Sequence, residues 1–231
     1  MTKTLQEIQE FNRKKIICAV NGTENYEEGK MSKGKIFTAE EVQTIIAGNK
    51  RMFREVIKPQ PNSKINPVHL KECNSWQWAT KESRRECPYQ KGQKIFVKES
   101  FNIFAGQVAD KQSLANAEKY IWKPAKHMKQ EHSRLTLQIK EIKVERLKDI
   151  SKEDAIAEGM FFTDHGKNCY GQQEAGWSWK ENKSLSECLG SAYWAFANKW
   201  NSTHKKEEHK WESNPFVWSI QFEVVSQFNL R

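Results

Sequence analysis

Apolar and polar residues alternate most clearly near the end of the chain. Phe216, Trp218, Ile220, Phe222 and Val224 occupy every second position, which predicts a strand with one buried face. Leu135, Leu137 and Ile139 do the same inside "RLTLQIKEIKVERL" (Arg134 to Leu147), but Ile142 and Val144 have the opposite parity. A bulge or bend near Lys140 and Glu141 reconciles the two halves, because one extra residue moves the following side chains to the other face. "KIFVKES" (Lys94 to Ser100) is a shorter strand with Ile95, Val97 and Glu99 on one face. A carboxylate in line with two core-type side chains meets a cation, a donor or a wet cleft, or else marks where the strand emerges into solvent.

Helical spacing appears in three places. Thr38 and Glu41 form a capping box ahead of Val42, Ile45 and Ile46, and Gly48 stands where a left-handed cap belongs. "IKPQP" (Ile57 to Pro61) is extended and cannot continue that helix. "DISKEDAIAEG" predicts a helix capped by Ser151 and ended by Gly159. Ser184 with Glu187 opens a third, whose Leu185, Cys188, Leu189, Ala192, Phe196 and Trp200 recur at helical spacing. Trp194, Trp200 and Trp218 are expected in the core.

Between these elements, residues 62–93 are polar apart from islands such as Trp76 and Trp78, and residues 160–183 read as a long loop or insertion. "KKEEHK" (Lys205 to Lys210) is a solvated charge run, and residues 1–33 read as an N-terminal arm, flexible or loosely docked. The sum is one α+β domain over 34–231. Its strands, separated by irregular segments, suggest a small partly open barrel with packed helices rather than a doubly wound sheet.

Composition adds a direction to this picture. The 231 residues carry a net charge of +9, which favours polyanions: nucleic acid, nucleotides or an anionic surface. No apolar run approaches the roughly 18 residues of a membrane span, and Ile16 to Val20 is too short for a signal-peptide core. Five cysteines without framework spacing indicate reduced thiols, so the expected compartment is cytoplasmic. His69, Cys73 and Cys87 have no Cys-x-x-Cys pair to anchor zinc, and neither a metal nor a cofactor is expected.

One cluster of positive charge lies in "IIAGNKRMFRE" (Ile45 to Glu55), where Lys50, Arg51 and Arg54 follow Gly48. Several stretches around it, in order, form a pattern: "IFTAEEVQTIIAGNK", "REVIKPQP", "CPYQKGQKIFVKES", "YIWKPAKHM", "SRLTLQIKEIKVERLKDISKEDAIAEG" and "NPFVWSIQFEVV". Together they resemble the ASCH-domain proteins of bacteriophages and prophages, within the PUA-like superfamily, from about Lys35 to Val225. The resemblance implies a PUA-like β-barrel with helices around it and a cleft suited to RNA or nucleotides. It also implies a site. Gly48, Lys50 and Arg54 match the family's signature and Glu99 matches its strand glutamate, whereas Phe53 stands where small amidohydrolases of the group have a catalytic threonine. Phenylalanine has no hydroxyl to offer. Lys129, Gln130, Glu131 and His132 replace the Pro-Arg-Trp-Ala-type turn usual in phage relatives.

The expected chemistry follows. Lys50 and Arg54 would hold phosphate or carbonyl oxygens, and Glu99 would accept from an exocyclic amine. Ser133 and Arg134 would face the same space, and Trp122, Tyr89 or Trp78 would stack on a base. The alternative is a structural Lys50–Glu99 ion pair. His127 and His132 flank Glu131, and either could act as a base in RNA cleavage. Three functions stand side by side: binding of RNA or a modified nucleotide in a basic cleft; hydrolysis of a modified nucleoside or of RNA, with Lys50 and Glu99, or Ser133 or His132, as catalytic groups; and a phage factor that binds a host protein, carried by the arm and the 160–183 insertion.

Overall fold

The two long alternating runs pair with each other. The computed structural model describes residues 33–61, 67–70, 75–77, 85–104, 107–110, 121–180 and 183–227. Within them, β9 (Leu135–Arg146) runs antiparallel to β12 (Phe216–Gln227). Gln221 opposes Glu141 while Phe222 opposes Ile139, so Lys140 is the extra residue of a bulge. That bulge is what lets Ile139 and Ile142 both face the interior.

These two strands are the centre of a five-stranded sheet with β1 (Lys33–Ile36), β2 (Met52–Val56) and β6 (Lys94–Lys98), in the order β1-β6-β9-β12-β2. β1 lies parallel to β6, and the other neighbours are antiparallel. The sheet is open between its edge strands β1 and β2. Side chains bridge that gap: Lys35 of β1 is ion-paired with Glu55 of β2, which also accepts from the Tyr89 hydroxyl at 2.9 Å. The architecture is therefore α+β, a partly open barrel with helices packed around it. Smaller ribbons add to it: β3 (Val68–Leu70), β4 (Ser75–Gln77) and β5 (Arg85–Glu86) form one, and β7 (Phe101–Phe104) pairs with β8 (Gln107–Asp110).

Alternation sends the two faces of the sheet into different cores. Phe216, Trp218, Ile220 and Phe222 join Leu135, Leu137, Ile139, Ile95, Val97 and Phe53 inside the curl. Val217, on the opposite face, joins Leu147, Ile150, Ala155, Phe196, Trp200 and Trp211 beneath the helices. Each large apolar side chain so buried contributes about 1.5–3 kcal/mol.

The helices are α1 (Ala39–Ile46), α2 (Lys152–Ala157) and α3 (Ala192–Thr203). Thr38 and Glu41 close the expected capping box on α1, and Ser151 caps α2. Gly48 and Gly159 adopt positive φ (76° and 90°), the left-handed turns expected after these helices. The third helix starts later than expected. Ser184 and Glu187 close only a single 3-10 turn, Leu185–Glu187, and α3 is capped by Ser191. Leu189 leaves the helical path to bridge Trp177, so Leu185, Cys188 and Leu189 are not part of the stripe that buries Phe196 and Trp200. Trp194 is 57% exposed, contrary to its expected core position, whereas Trp200 and Trp218 are buried.

The 160–183 segment is not a loop. Most of it is a hairpin of β10 (Phe161–Lys167) and β11 (Gln173–Ser178), irregular between Asp164 and Lys167. Its alternation is masked in the sequence by Asp164, His165 and Gly166, poor strand formers that a two-stranded ribbon tolerates. The arm up to residue 32, Cys73 and Trp78 lie outside the described residues, and Lys33 already belongs to β1. No helix among the described residues is long and apolar enough to cross a membrane.

Candidate functional site

Two turns at glycine set up the site. After α1, the chain reverses at Gly48, and the amides of Asn49 and Lys50 both donate to the Thr44 carbonyl. The next residues are fastened to the end of α2: Lys50 forms an isolated bridge with Glu158, and the Arg51 amide donates to Ala157 O at 2.7 Å. Gly159 makes this contact close, since a Cβ there would lie 2.8 Å from Thr44 Cγ2.

Lys50 therefore points inward, at 2% exposure. Its ammonium meets three acceptors: Glu158 Oε2 at 2.9 Å, the Glu158 carbonyl at 3.1 Å, and Glu41 Oε1 at 3.4 Å. An ammonium has three protons to donate, so its capacity is filled. Arg54, two turns of the pleat further on, shares the Glu158 carboxylate. Its Nη1 donates to Glu158 Oε1 at 3.0 Å, its Nε and Nη2 to Glu145 Oε1 at 3.0 and 2.6 Å, and its Nη2 also to Asp154 at 3.1 Å. Lys199 of α3 completes the chain by donating to Glu41 at 3.1 Å.

The electrostatics follow from this packing. Burial would push the Glu41 carboxyl up, but Lys50, Lys199 and the Thr38 amide together hold it down at about 2. Burial disfavours the charged form of Lys50, yet Glu158 and Glu41 more than offset it and raise its pKa. Arg54 is likewise raised by Glu158 and Glu145 against burial. Lys199 goes the other way: burial and the neighbouring Lys50 charge lower it, against the pull of Glu41 and Glu158. Three cations, Lys50, Arg54 and Lys199, face four carboxylates, Glu41, Glu145, Asp154 and Glu158, so the cluster has a slight formal excess of negative charge and is not the basic cleft expected.

A cavity of about 120 Å³ opens beside this cluster, in the gap between the edge strands. Lys35 and Phe37 come from or just after β1, Lys50, Phe53 and Arg54 from β2 and its lead-in, and Glu41 from α1. α3 contributes Phe196, Lys199, Trp200 and Thr203, with His204 at its end, and Glu158 closes the set. Phe53 packs edge-on against Phe37 and Tyr89, with ring centroids 5.7 and 5.5 Å away.

The other expected residues form a separate group. Of the two alternatives for Glu99 the buried one holds, at 2% exposure, but the cation it meets is Arg134, through Nε at 2.8 Å and Nη2 at 2.9 Å. The Lys50–Glu99 pair is not formed; each is bonded elsewhere. Ser133 Oγ lies 2.8 Å from Val97 O and 2.9 Å from Leu135 O, which ties it to the strand backbone. The His132 ring packs on Phe101 at 5.7 Å, and its Nε2 lies 3.7 Å from the exposed Glu131. Trp122 is half-buried and His127 exposed. None of Glu99, Trp122, His132, Ser133 and Arg134 lines the cavity. Tyr89 is a core residue whose hydroxyl is held by Glu55, and burial, with the Glu55 charge, pushes it upward. Burial also raises the Cys87 thiol, to about 12. Among the described residues no three His, Cys, Asp or Glu side chains are grouped to hold a metal.

Sequence reasoning missed Glu158, Glu41, Lys199 and His204 as site residues. One signal was available for Glu158. It is an anion at the C-terminal end of a helix, where the dipole disfavours it unless a cation is near.

No family model and no curated protein matches the chain. Among solved structures, it is similar to a DUF984 protein from Enterococcus faecalis V583, at 10% identity over 99% of this chain and 98% of that one, with a TM-score of 0.42. It is also similar to an ASCH domain from Lactobacillus crispatus JV V101, at 13% identity over 98% of this chain and 99% of that one, with a TM-score of 0.40.

Proposed function

We propose that the protein binds RNA, or a free or modified nucleoside, by taking one pyrimidine-sized base into the cavity between its edge strands. The observation that carries this reading is the make-up of the cavity. Phe37, Phe53, Phe196 and Trp200 give it an aromatic wall, and the Lys50–Glu158 and Lys199–Glu41 pairs give it a polar one. Aromatic walls suit the face of any base, and donor–acceptor pairs suit its edge. Volume sets the ring size. A cavity of about 150 Å³ takes up benzene, so this one suits a single six-membered ring better than a purine.

Lys50 and Arg54 are saturated by carboxylates, so on this reading they frame the base rather than clamp a phosphate. Phosphates would lie outside, near exposed Arg51 and the generally basic surface. The sequence resemblance to ASCH-domain proteins of phages and prophages supports a nucleotide ligand, and with it a role for a phage protein in the bacterial cytoplasm. The test is equilibrium titration with cytidine, uridine, acetylated cytidine and a short pyrimidine RNA at low and high salt. The nucleosides should bind with little salt dependence and the RNA with more, because only the RNA releases counterions. No binding of any of them at low salt would overturn the reading.

A second reading, hydrolysis of an acylated nucleoside in the same cavity, is favoured by one feature. Lys50 is buried and charged, and a developing oxyanion would take the place of its longest contact, Glu41 at 3.4 Å. Turnover of acetylated cytidine, absent in Lys50→Met, distinguishes it from binding alone.

A further inference from the structure

His204 lines the cavity from the end of α3 but belongs to no ion pair among the described residues, unlike Lys35, Lys50, Arg54 and Lys199 beside it. Its ring is stacked on Trp200, centroids 3.8 Å apart and planes 12° from parallel, which fixes its orientation. Nδ1 lies 3.1 Å from the Trp200 carbonyl and 3.0 Å from Thr203 Oγ1. A carbonyl can only accept, and the Thr203 hydroxyl donates to the Trp200 and Lys199 carbonyls, so the proton is assigned to Nδ1; the other tautomer would set its lone pair against that of the Trp200 carbonyl. Nε2 is then the unprotonated nitrogen. It has no hydrogen-bond partner among the described residues, on a ring that lines the cavity.

We infer that His204 reads the edge of the bound base, its Nε2 accepting a hydrogen bond from a ring or exocyclic N–H. The inference rests on the reading of the cavity as a base site and adds a specificity to it: the ligand must present an N–H in the plane of the imidazole. Cytosine and uracil both do so. A base whose edge nitrogens are fully alkylated does not. This role replaces the one expected of Glu99, whose carboxylate Arg134 holds in a two-point contact outside the cavity.

The surroundings keep the ring neutral. Burial lowers its pKa from 6.5, and the Trp200 carbonyl pulls in the opposite direction. His209 from the Glu207–His209 turn, Lys58 after β2 and Lys35 on β1 add to the lowering. Lys50, Arg54, Lys199, Glu41 and Glu158 are the other charged groups that line the cavity. Protonation would turn Nε2 from acceptor to donor and remove the contact.

The experiment compares cytidine and N4,N4-dimethylcytidine on the wild type, His204→Asn and His204→Gln, between pH 5 and 8. Asparagine can replace the Nδ1 donor to Trp200 but reaches no further. Glutamine places an amide oxygen near the Nε2 position and does not titrate. The expected results are a wild-type affinity for cytidine that holds through the ordinary histidine value of 6.5 and falls only at lower pH, a loss of about 3- to 10-fold in the Asn variant, and a flat pH profile with retained affinity in the Gln variant. Dimethylcytidine should bind wild type and Asn variant equally weakly. Equal cytidine affinities and identical pH profiles in all three proteins would overturn the role of His204 while leaving the base site standing. Failure of the wild type to bind any nucleoside overturns both.

Discussion

Replacing Glu158 by glutamine keeps the shape of the side chain and removes the charge that joins Lys50 to Arg54. The three side chains are 4%, 2% and 0% exposed, so water cannot substitute for the lost carboxylate. Breaking a buried pair by neutralising one partner costs about 3–5 kcal/mol. Here the cations keep other acceptors: Glu41 at 3.4 Å and the Glu158 carbonyl at 3.1 Å for Lys50, Glu145 and Asp154 for Arg54. The low end, about 3 kcal/mol, is therefore the expected loss. Urea denaturation reads it directly. With a slope of about 2–3 kcal/mol per molar, the midpoint should fall by about 1 M without a change in slope. Lys50→Met removes the opposite charge, and combining it with Glu158→Gln should cost clearly less than the sum, because the two changes share one interaction. A Glu158→Gln protein within about 0.5 kcal/mol of wild type, or a strictly additive double variant, would refute the claim that this carboxylate organises the site.

The remaining predictions test its supports. Gly159→Ala forces a φ of 90° on a residue with a Cβ and sets that Cβ 2.8 Å from Thr44 Cγ2, so thermal melting should show a loss of about 1–3 kcal/mol, with weaker nucleoside binding as Lys50 shifts. Trp200→Ala, in the core beneath the helices, should cost about 3–5 kcal/mol, whereas Trp194→Ser at 57% exposure should stay within about 0.5 kcal/mol; chemical denaturation separates them. Glu41 has its folded pKa depressed from 4.5 to about 2, so its contribution is fully present above pH 4.5 and is lost as pH falls toward 2. That loss is on the order of 3 kcal/mol, and Glu41→Gln should flatten the stability–pH curve over that window.

Features that depend on neighbours in the chain were readable from the sequence. The bulge at Lys140 follows from the change of parity between Ile139 and Ile142, and the turns at Gly48 and Gly159 follow from helix caps. The register of Glu99 with Ile95 and Val97 allowed its burial but equally allowed a strand emerging into solvent; it is buried. Its partner was not: Arg134 lies 35 positions away, and strand alternation says which face a residue occupies, not what stands opposite. The same holds for Lys50 and Glu158, 108 positions apart and joined only because the end of α2 docks against the turn after α1. The late start of α3 shows the limit of capping signals. Ser184 and Glu187 satisfy the pattern, but Leu189 pairs with Trp177 instead, and a long-range bridge overrides the local preference. His204 was hidden by its place next to a charged run, where only the stack on Trp200 distinguishes it from a solvated histidine.

The most direct measurement is a crystal structure of the protein soaked with cytidine. The account predicts a pyrimidine ring between the edge strands, bordered by Phe37 and Phe53, with an N–H toward His204 Nε2 and the Lys50–Glu158 pair intact. A ring seated instead against Glu99 and Arg134, with the cavity beside Lys50 unchanged, would contradict it.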